Sequence, residues 1–319
     1  MKTEAFLRLR RALTATLALS VLVVFAGATV RATGSGMGCP DWPLCFGCLV
    51  PPVSVTQLPS GFAQKYAVDG HPAEFDAVKT WIEYGNRLLG ALCGLSLVLT
   101  AVLTVFVARR RPSLAVLVFL SLVVLGFVAW LGARVVGTFL APYAVTLHLL
   151  SSYSLLALLL AQREIVGRVL DGPRPPPARP IIIGLAALGL AFFVQWTLGI
   201  RVRDELESWI WDRDLDDSFI SILGGAYDLH RATATVVALT AGVLAWLGWR
   251  NRTRDHRLAA LTLTIAVFVA LQAAVGLVLW LGGLPAWAKP FHLLFATGAW
   301  SVWVAALYRS LLTKRSPRV

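Results

Sequence analysis

Charged side chains are scarce in this sequence: only 14% of the 319 residues are Asp, Glu, Lys or Arg, whereas 57% are hydrophobic. Soluble globular domains carry nearer one quarter charged residues, so this composition excludes an ordinary soluble globule. The chain instead contains eight apolar runs, each close to the roughly 20 residues that a membrane-spanning helix needs. Because backbone polar groups in lipid must be satisfied within each segment, we predict an all-α polytopic membrane protein. The predicted spans are 12–30, 84–107, 114–133, 142–161, 180–200, 227–249, 258–280 and 289–308.

Acidic residues are the scarcer charged class, with 17 Asp and Glu against 29 Lys and Arg. The basic residues are concentrated in connections on one side of the predicted membrane, such as "RLRR" at 8–11 and "RNRTRDHR" at 250–257. By the positive-inside rule that side is cytoplasmic, which places both termini in the cytoplasm of a cell-membrane protein. The positive charge is therefore an orientation signal, and we expect the lipid bilayer, with no nucleic acid, as partner. A basic start also suits a signal peptide, but the first apolar run is longer than a signal peptide needs, which favours a retained helix.

Cysteine is also rare, and three of the four cysteines lie in one predicted outer loop, "GCPDWPLCFGC" at 38–48. An outer compartment permits disulfides, so we expect one bond, between Cys39 and Cys45. Cys48 then has no assigned role. A zinc site is the alternative, but three cysteines without a nearby loop histidine do not supply a full ligand set.

An internal repeat divides the predicted spans into two related halves. "GNRLLGA" at the start of span two is similar to "LHRATAT" at the start of span six, and "LHLLSSY" in span four is similar to "FHLLFAT" in span eight. We predict two four-helix halves in parallel orientation, 1–170 and 181–319, joined by a Pro-rich linker at 171–180. The related pairs are 144 residues apart: Asn86 and His230, Arg87 and Arg231, Gly132 and Gly276, His148 and His292.

The repeat places four polar side chains at one depth, near the outer ends of spans two, four, six and eight. Histidines within membrane helices are rare and usually functional, although a single one also suits hydrogen-bonded packing. Two histidines on facing helices are too few for a closed zinc site, but they suit axial ligation of haem iron. Arg87 and Arg231 follow the repeated position and are candidates for binding haem propionates; the alternative is that they extend to the membrane interface.

With these residues the chain resembles the haem A synthases, membrane enzymes that oxidise a methyl group of haem O to a formyl group and so supply haem A to terminal oxidases. The resemblance covers nearly the whole chain: eight spans in two related halves, "GSGMGCPDWPLC" at 34–45, a Glu-x-x-x-Arg start to span two, and histidines near the ends of spans four, six and eight. It implies that the first half holds haem O as substrate, with His148 on its iron. It also implies that His230 and His292 ligate haem b in the second half.

The resemblance further implies that Glu83 is the catalytic carboxylate. The equivalent position in the second half is Tyr227, so a carboxylate is not part of the shared scaffold. Asn86 lies three residues later on the same helix face, and Glu83 in such a site would accept a proton or stabilise positive charge. The alternative is a glutamate favoured at a helix start by the helix dipole.

Asn86 departs from the family pattern, which has histidine there, and asparagine is a poor ligand for haem iron. Either the substrate haem is five-coordinate on His148, or another group substitutes, or this half has lost activity. Our main hypothesis is a haem A synthase-like oxidoreductase, and the alternative is a non-catalytic haem-binding assembly factor or haem carrier. A di-haem electron-transfer cytochrome is weakened because Asn86 breaks one histidine pair. We expect haem O and its supplying enzyme as partners; the electron donor is unassigned, and the sequence allows a homo-oligomer.

Overall fold

Eight long helices form the protein in this computed structural model, which describes residues 2–67, 72–212 and 225–313. Each helix is long and apolar enough to cross a membrane, and each predicted span lies within one of them. No β-strand occurs in the described ranges. The prediction of an all-α multi-pass membrane protein is confirmed. The helices are α1 (Lys2–Ala32), α2 (Ala77–Ala108), α3 (Pro112–Gly137), α4 (Pro142–Asp171), α5 (Arg179–Asp212), α6 (Gly225–Arg250), α7 (His256–Leu281) and α8 (Ala288–Leu311).

Local sequence signals set several helix starts. Asp76 caps α2, because its side chain accepts hydrogen bonds from the backbone amides of Val78 and Lys79 at 2.8 and 3.1 Å. Pro112 opens α3, a position where its missing N–H costs no helical hydrogen bond. Asp255 precedes α7 and accepts from the Leu258 amide at 3.0 Å.

The chain divides into two compact units, of which the first contains Met1–Asp171 and Val278–Leu294. Within it α1 packs against α2 and α4, and α3 packs against α2 and α4. Small polar side chains join α1 to α2 inside the membrane: the Thr16 and Ser96 hydroxyls lie 2.7 Å apart, and the Ser20 hydroxyl is 3.3 Å from Cys93 Sγ. The apolar core lies around Phe6, Leu9, Leu13, Leu97, Val107, Leu114, Val118, Leu155, Leu159 and Val166.

The second unit contains Gly172–Leu277 and Phe295–Val319. Helix α5 packs against α6, and the indole of Trp303 on α8 donates to the Leu185 carbonyl on α5 at 2.8 Å. The apolar core is formed by Ile181, Leu185, Leu188, Phe192, Val237, Ala241, Leu244, Leu258, Ile265, Val269, Ala299 and Ala306.

An ion pair links the start of α7 to the end of α8. The Arg309 guanidinium donates to both carboxylate oxygens of Asp255, at 2.7 and 2.9 Å, and both side chains are nearly buried. Burial alone raises the pKa of Asp255, but hydrogen bonds from Arg309 and the Leu258 amide, with the positive charges of Arg309 and Arg174, hold that pKa below its ordinary value. The pair therefore stabilises the ionised carboxylate.

Candidate functional site

The loop that precedes α2 folds onto the first turns of that helix. The predicted disulfide between Cys39 and Cys45 is present, and both cysteines are buried. A Cβ at Gly38 would lie 2.5 Å from the Lys79 carbonyl oxygen, so only glycine allows the loop backbone to approach α2 this closely. The Thr80 hydroxyl donates to the Gly38 carbonyl at 2.8 Å, which fixes the contact.

Glu83 lies beneath this loop and is only 4% exposed. Its Oε2 accepts a hydrogen bond from the Cys39 backbone amide at 2.8 Å. Its Oε1 accepts from Arg87, one helical turn later, at 2.5 Å. Both oxygens act as acceptors, and the two hydrogen bonds fix the orientation of the Glu83 carboxyl group.

Arg87 makes its hydrogen bonds to the loop as well as to Glu83. Nη1 donates to the carbonyls of Asp41 and Leu44 at 2.7 and 2.9 Å, and Nη2 donates to the Cys39 carbonyl at 2.8 Å. The guanidinium therefore ties three carbonyls of the disulfide loop to α2. Together, Glu83 and Arg87 bind the loop through one amide and three carbonyl groups.

Asn86 lies three residues after Glu83 on α2. Its Oδ1 is buried and has no hydrogen-bond partner among the described residues. This oxygen faces Gly27 on α1, where an added Cβ would lie 3.9 Å from it. A buried polar atom without a partner is unfavourable, and this makes Asn86 a candidate to contact a bound molecule.

His148 lies near the start of α4 and packs against a glycine on α3. A Cβ at Gly132 would lie 3.4 Å from the ring carbon Cε1 of His148. The backbone carbonyl of Val128, four residues before Gly132, also faces this ring. Nδ1 is buried, and within the described chain it has no hydrogen bond of good geometry.

His230 lies near the start of α6 in an environment of the same kind. A Cβ at Gly199 on α5 would lie 3.3 Å from its ring carbon Cε1, and its Nδ1 is likewise buried without a hydrogen-bond partner in the parts of the chain described. In addition, the side-chain nitrogen of Gln195 lies 3.3 Å from Nε2 of His230 and donates to the His230 carbonyl at 3.1 Å. The Thr233 hydroxyl lies 2.5 Å from Oε1 of the same glutamine.

The side chain of Arg231 is more exposed than that of its counterpart Arg87. Its side chain is 44% exposed, lies 4.0 Å from the Asp228 carboxylate and faces the Tyr227 ring at 5.7 Å. A partly exposed guanidinium is accessible to an incoming anion. His292, the remaining predicted ligand, is partly buried on α8.

The surroundings of His148 and His230 fit a group that takes neutral nitrogen ligands. Each imidazole faces a glycine on the neighbouring helix, so the ring packs directly on the backbone of that helix. In each, Nδ1 is buried without a hydrogen bond of good geometry among the described residues, and a backbone carbonyl of the neighbouring helix, that of Val128 or Gln195, faces the ring. Haem iron takes axial imidazoles of this kind, whereas no cluster of three or more His, Cys, Asp or Glu side chains suitable for a bare metal ion occurs in the described ranges.

A family model of cytochrome oxidase assembly proteins, COX15-CtaA, matches residues 10–304 of the chain. The chain belongs to the COX15-CtaA family. The family relationship that the sequence motifs predict is thereby confirmed.

Several curated COX15-CtaA relatives carry the name heme A synthase. The protein from Granulibacter bethesdensis is 29% identical over 290 residues, covering 81% of this chain and 75% of its own length. The protein from Methylobacterium nodulans is 28% identical over 311 residues, with coverage of 86% and 84%. The protein from Listeria monocytogenes serotype 4a is 25% identical and covers 94% of both chains. The similarity therefore extends over both halves of the chain.

For this COX15-CtaA member, sequence patterns identified some site residues and missed others. The structure brings Glu83, Arg87 and the Cys39–Cys45 disulfide into one hydrogen-bonded cluster. The sequence motifs did not indicate that Arg87 binds the loop, or that Gln195 and Thr233 contact His230 and each other. Nor did they indicate Gly27, which faces Asn86, or Gly199, which faces His230. Both glycines lie near the ends of their spans, one and five. The loops that follow these spans differ in length, so a search at a constant offset does not pair the two glycines.

Proposed function

We propose that this protein is a haem A synthase, an oxidoreductase that converts a methyl group of haem O into a formyl group. The conversion removes four electrons and exchanges two hydrogens on the methyl carbon for one oxygen. The observation that carries the proposal is the buried Glu83 carboxylate, fixed by the Cys39 amide and Arg87 one turn from Asn86. Family membership and relatives named heme A synthase support the same conclusion.

In the first half, we assign the substrate haem to His148, with Glu83 and Asn86 at the reacting edge. Glu83 is already bound by two donors, and this favours a fixed anion that stabilises positive charge developing on the substrate. Asn86 has an unsatisfied amide oxygen, which suits an orienting contact and does not suit iron ligation. His148 would then be the one imidazole of this half that holds the substrate haem.

In the second half, we assign His230 and His292 as the ligands of a resident haem b. The assignment of the pair rests on the sequence repeat, and that of His230 also rests on its buried Nδ1 and on the backbone surface at Gly199. A bound haem b would supply one-electron redox chemistry. Arg231 is the better placed of the two repeated arginines to meet a propionate, since the contacts of Arg87 favour holding the loop and Glu83.

The membrane setting completes the proposal. We assign both termini to the cytoplasm, because the basic residues concentrate on that side of the predicted spans. The disulfide loop then lies in the outer compartment, where a disulfide persists. Haem O is expected to arrive from its supplying enzyme within the bilayer.

The test is product formation in cells that make haem O but lack their own haem A synthase. Expression of this chain should yield haem A or its hydroxylated intermediate in extracted pigments. Glu83→Gln should abolish product while haem b is retained, because the amide cannot supply the fixed negative charge. Glu74→Gln, which changes an exposed glutamate of the same loop region, is the matched control and should leave product unchanged.

The alternative function is a haem carrier or assembly factor without catalysis, which the loss of histidine at Asn86 favours. Purified protein that contains haem but makes neither product, in cells where a known haem A synthase does so, would support the carrier and refute the enzyme. Asn86→His would then be informative, since restoring the family residue should restore product only in an inactivated enzyme.

A further inference from the structure

The connection between α6 and α7 carries a cluster of basic side chains that the proposed reaction does not use. Four arginines occur within eight residues: Arg250, Arg252, Arg254 and Arg257. Asp255 is the only acidic residue from 229 to 319, and both of its carboxylate oxygens already bond Arg309. The cluster therefore has an excess of positive charge at the end of two membrane-spanning helices.

Two of these arginines lie over tryptophan rings on the surface of α6. The Arg250 guanidinium carbon is 4.9 Å from the centre of the Trp246 ring, and that of Arg252 is 4.5 Å from the centre of the Trp249 ring. Both rings are more than half exposed. Nη1 of Arg252 also donates to the Trp249 carbonyl at 3.0 Å, which fixes this guanidinium further.

The tryptophans hold the two guanidinium groups without using up their hydrogen-bond donors. The attraction of a cation to an aromatic ring is electrostatic, and each guanidinium has five N–H donors. Guanidinium groups bind phosphate through pairs of such donors. Two held guanidiniums at the end of one helix therefore form a surface that suits a phosphate group.

The part of α6 that leads up to these arginines presents an apolar stripe, formed by Leu239, Val243 and Trp246. These three side chains are exposed and lie at the i, i+4 and i+7 spacing of one helix face, which Arg250 continues at i+11. The surface thus combines an apolar stripe with a positively charged end. Basic residues directly beyond a membrane helix attract anionic lipids, and tryptophan favours the membrane interface. A lipid with an anionic head group matches both parts.

The internal repeat distinguishes this surface from a signal for orientation alone. The positions 144 residues before the two tryptophans are Val102 and Val105, which are also exposed. The connection after α2 is still basic, with three consecutive arginines at 109–111. Both connections therefore carry the charge that orients the chain, but only the second combines it with tryptophan.

We propose that Trp246, Trp249, Arg250 and Arg252 form a binding site for an anionic phospholipid. The guanidinium groups bind the head-group phosphate, the tryptophans hold them at the membrane interface, and an acyl chain lies along the apolar stripe. The inference requires neither haem binding nor catalysis, so its failure would leave the proposed function unchanged.

The test is native mass spectrometry of the purified full chain, titrated with phosphatidylglycerol and, as the zwitterionic reference, with phosphatidylcholine. We expect the wild type to bind one phosphatidylglycerol more tightly than phosphatidylcholine. Each arginine near a membrane surface contributes about 5-fold to the binding of anionic lipid, so Arg250→Gln combined with Arg252→Gln should weaken phosphatidylglycerol binding by about 25-fold. Trp246→Val and Trp249→Val, which install the residues of the first half, should each weaken it by about 2- to 5-fold.

Arg110→Gln combined with Arg111→Gln is the matched control, because it removes the same charge from the connection after α2. All the substituted side chains are exposed, so none of these variants disturbs an apolar core. The control should bind phosphatidylglycerol as the wild type does; an equal loss would mean that net charge alone attracts the lipid and would overturn the inference. Equal binding of both lipids by the wild type would overturn it as well.

Inorganic phosphate in excess distinguishes a lipid from a free anion as the occupant. It should not displace phosphatidylglycerol, because the acyl chain adds contacts along the apolar stripe that phosphate lacks. Displacement would refute the lipid site.

Discussion

Replacing Arg87 with lysine should release the disulfide loop while keeping the positive charge. The guanidinium makes four short hydrogen bonds, three to loop carbonyls and one to Glu83. A lysine ammonium has three donors at a single point and cannot reach all four acceptors. Hydrogen bonds to charged groups contribute about 1.5–3 kcal/mol each, so losing one of the four should favour loop opening by about 10- to 150-fold.

Hydrogen–deuterium exchange of the 38–47 peptide measures that opening directly, since exchange follows local unfolding. We expect faster exchange in Arg87→Lys and none of that change in Arg134→Lys, which alters an exposed arginine of α3. Product formation should fall with loop opening, because the Cys39 amide that orients Glu83 belongs to the same loop. If exchange of 38–47 stays at the wild-type rate while haem content falls, Arg87 serves the propionates and the loop-anchoring interpretation is wrong.

Three further substitutions test separate contacts. Gly38→Ala would place a methyl group against a backbone carbonyl of α2, so exchange in the 38–47 loop should rise, whereas Gly85→Ala, which faces open space, should leave it unchanged. Gly199→Ala should lower haem b per protein, because the added methyl group would crowd the His230 imidazole. Gly242 faces open space, so an equal loss in Gly242→Ala would argue against that cause. Asp255→Asn should lower stability by about 1.5–3 kcal/mol near pH 7, seen as a lower Tm. Because the folded pKa of Asp255 is depressed, wild type should lose this contribution as pH falls through that pKa, and an identical acid profile in the variant would contradict the assignment.

The eight helices could be predicted because each leaves a long apolar run in the sequence. The full lengths of the helices could not be predicted, because helical turns that extend beyond the membrane are not marked by an apolar run. Helix α4, for example, runs to Asp171, ten residues beyond its predicted span at 142–161. The disulfide was predictable because few cysteines were available and they lie in one loop.

The contacts of the candidate site were harder to foresee. Arg87 bonds backbone carbonyls, which every residue has, so no sequence pattern marks its acceptors. The Gln195 contact was hidden for a different reason. Gly27 and Gly199 are 172 residues apart, whereas Asn86 and His230 are 144 apart, because the loops after spans one and five differ in length. Only the packing of α5 on α6 shows that Gly199 and His230 belong together.

The pairing of Glu83 with Arg87 also bears on how the chain enters the bilayer during synthesis. Isolated charges resist transfer into lipid, but Glu83 and Arg87 carry opposite charges one turn apart, so this part of α2 enters the bilayer as a neutral pair. Their other bonding partners, the Cys39 amide and the nearby carbonyls, lie in a segment that leaves the ribosome before α2 does. The loop that bonds to Glu83 and Arg87 is therefore synthesised before α2. Its backbone groups are available to these two side chains as soon as α2 has been made.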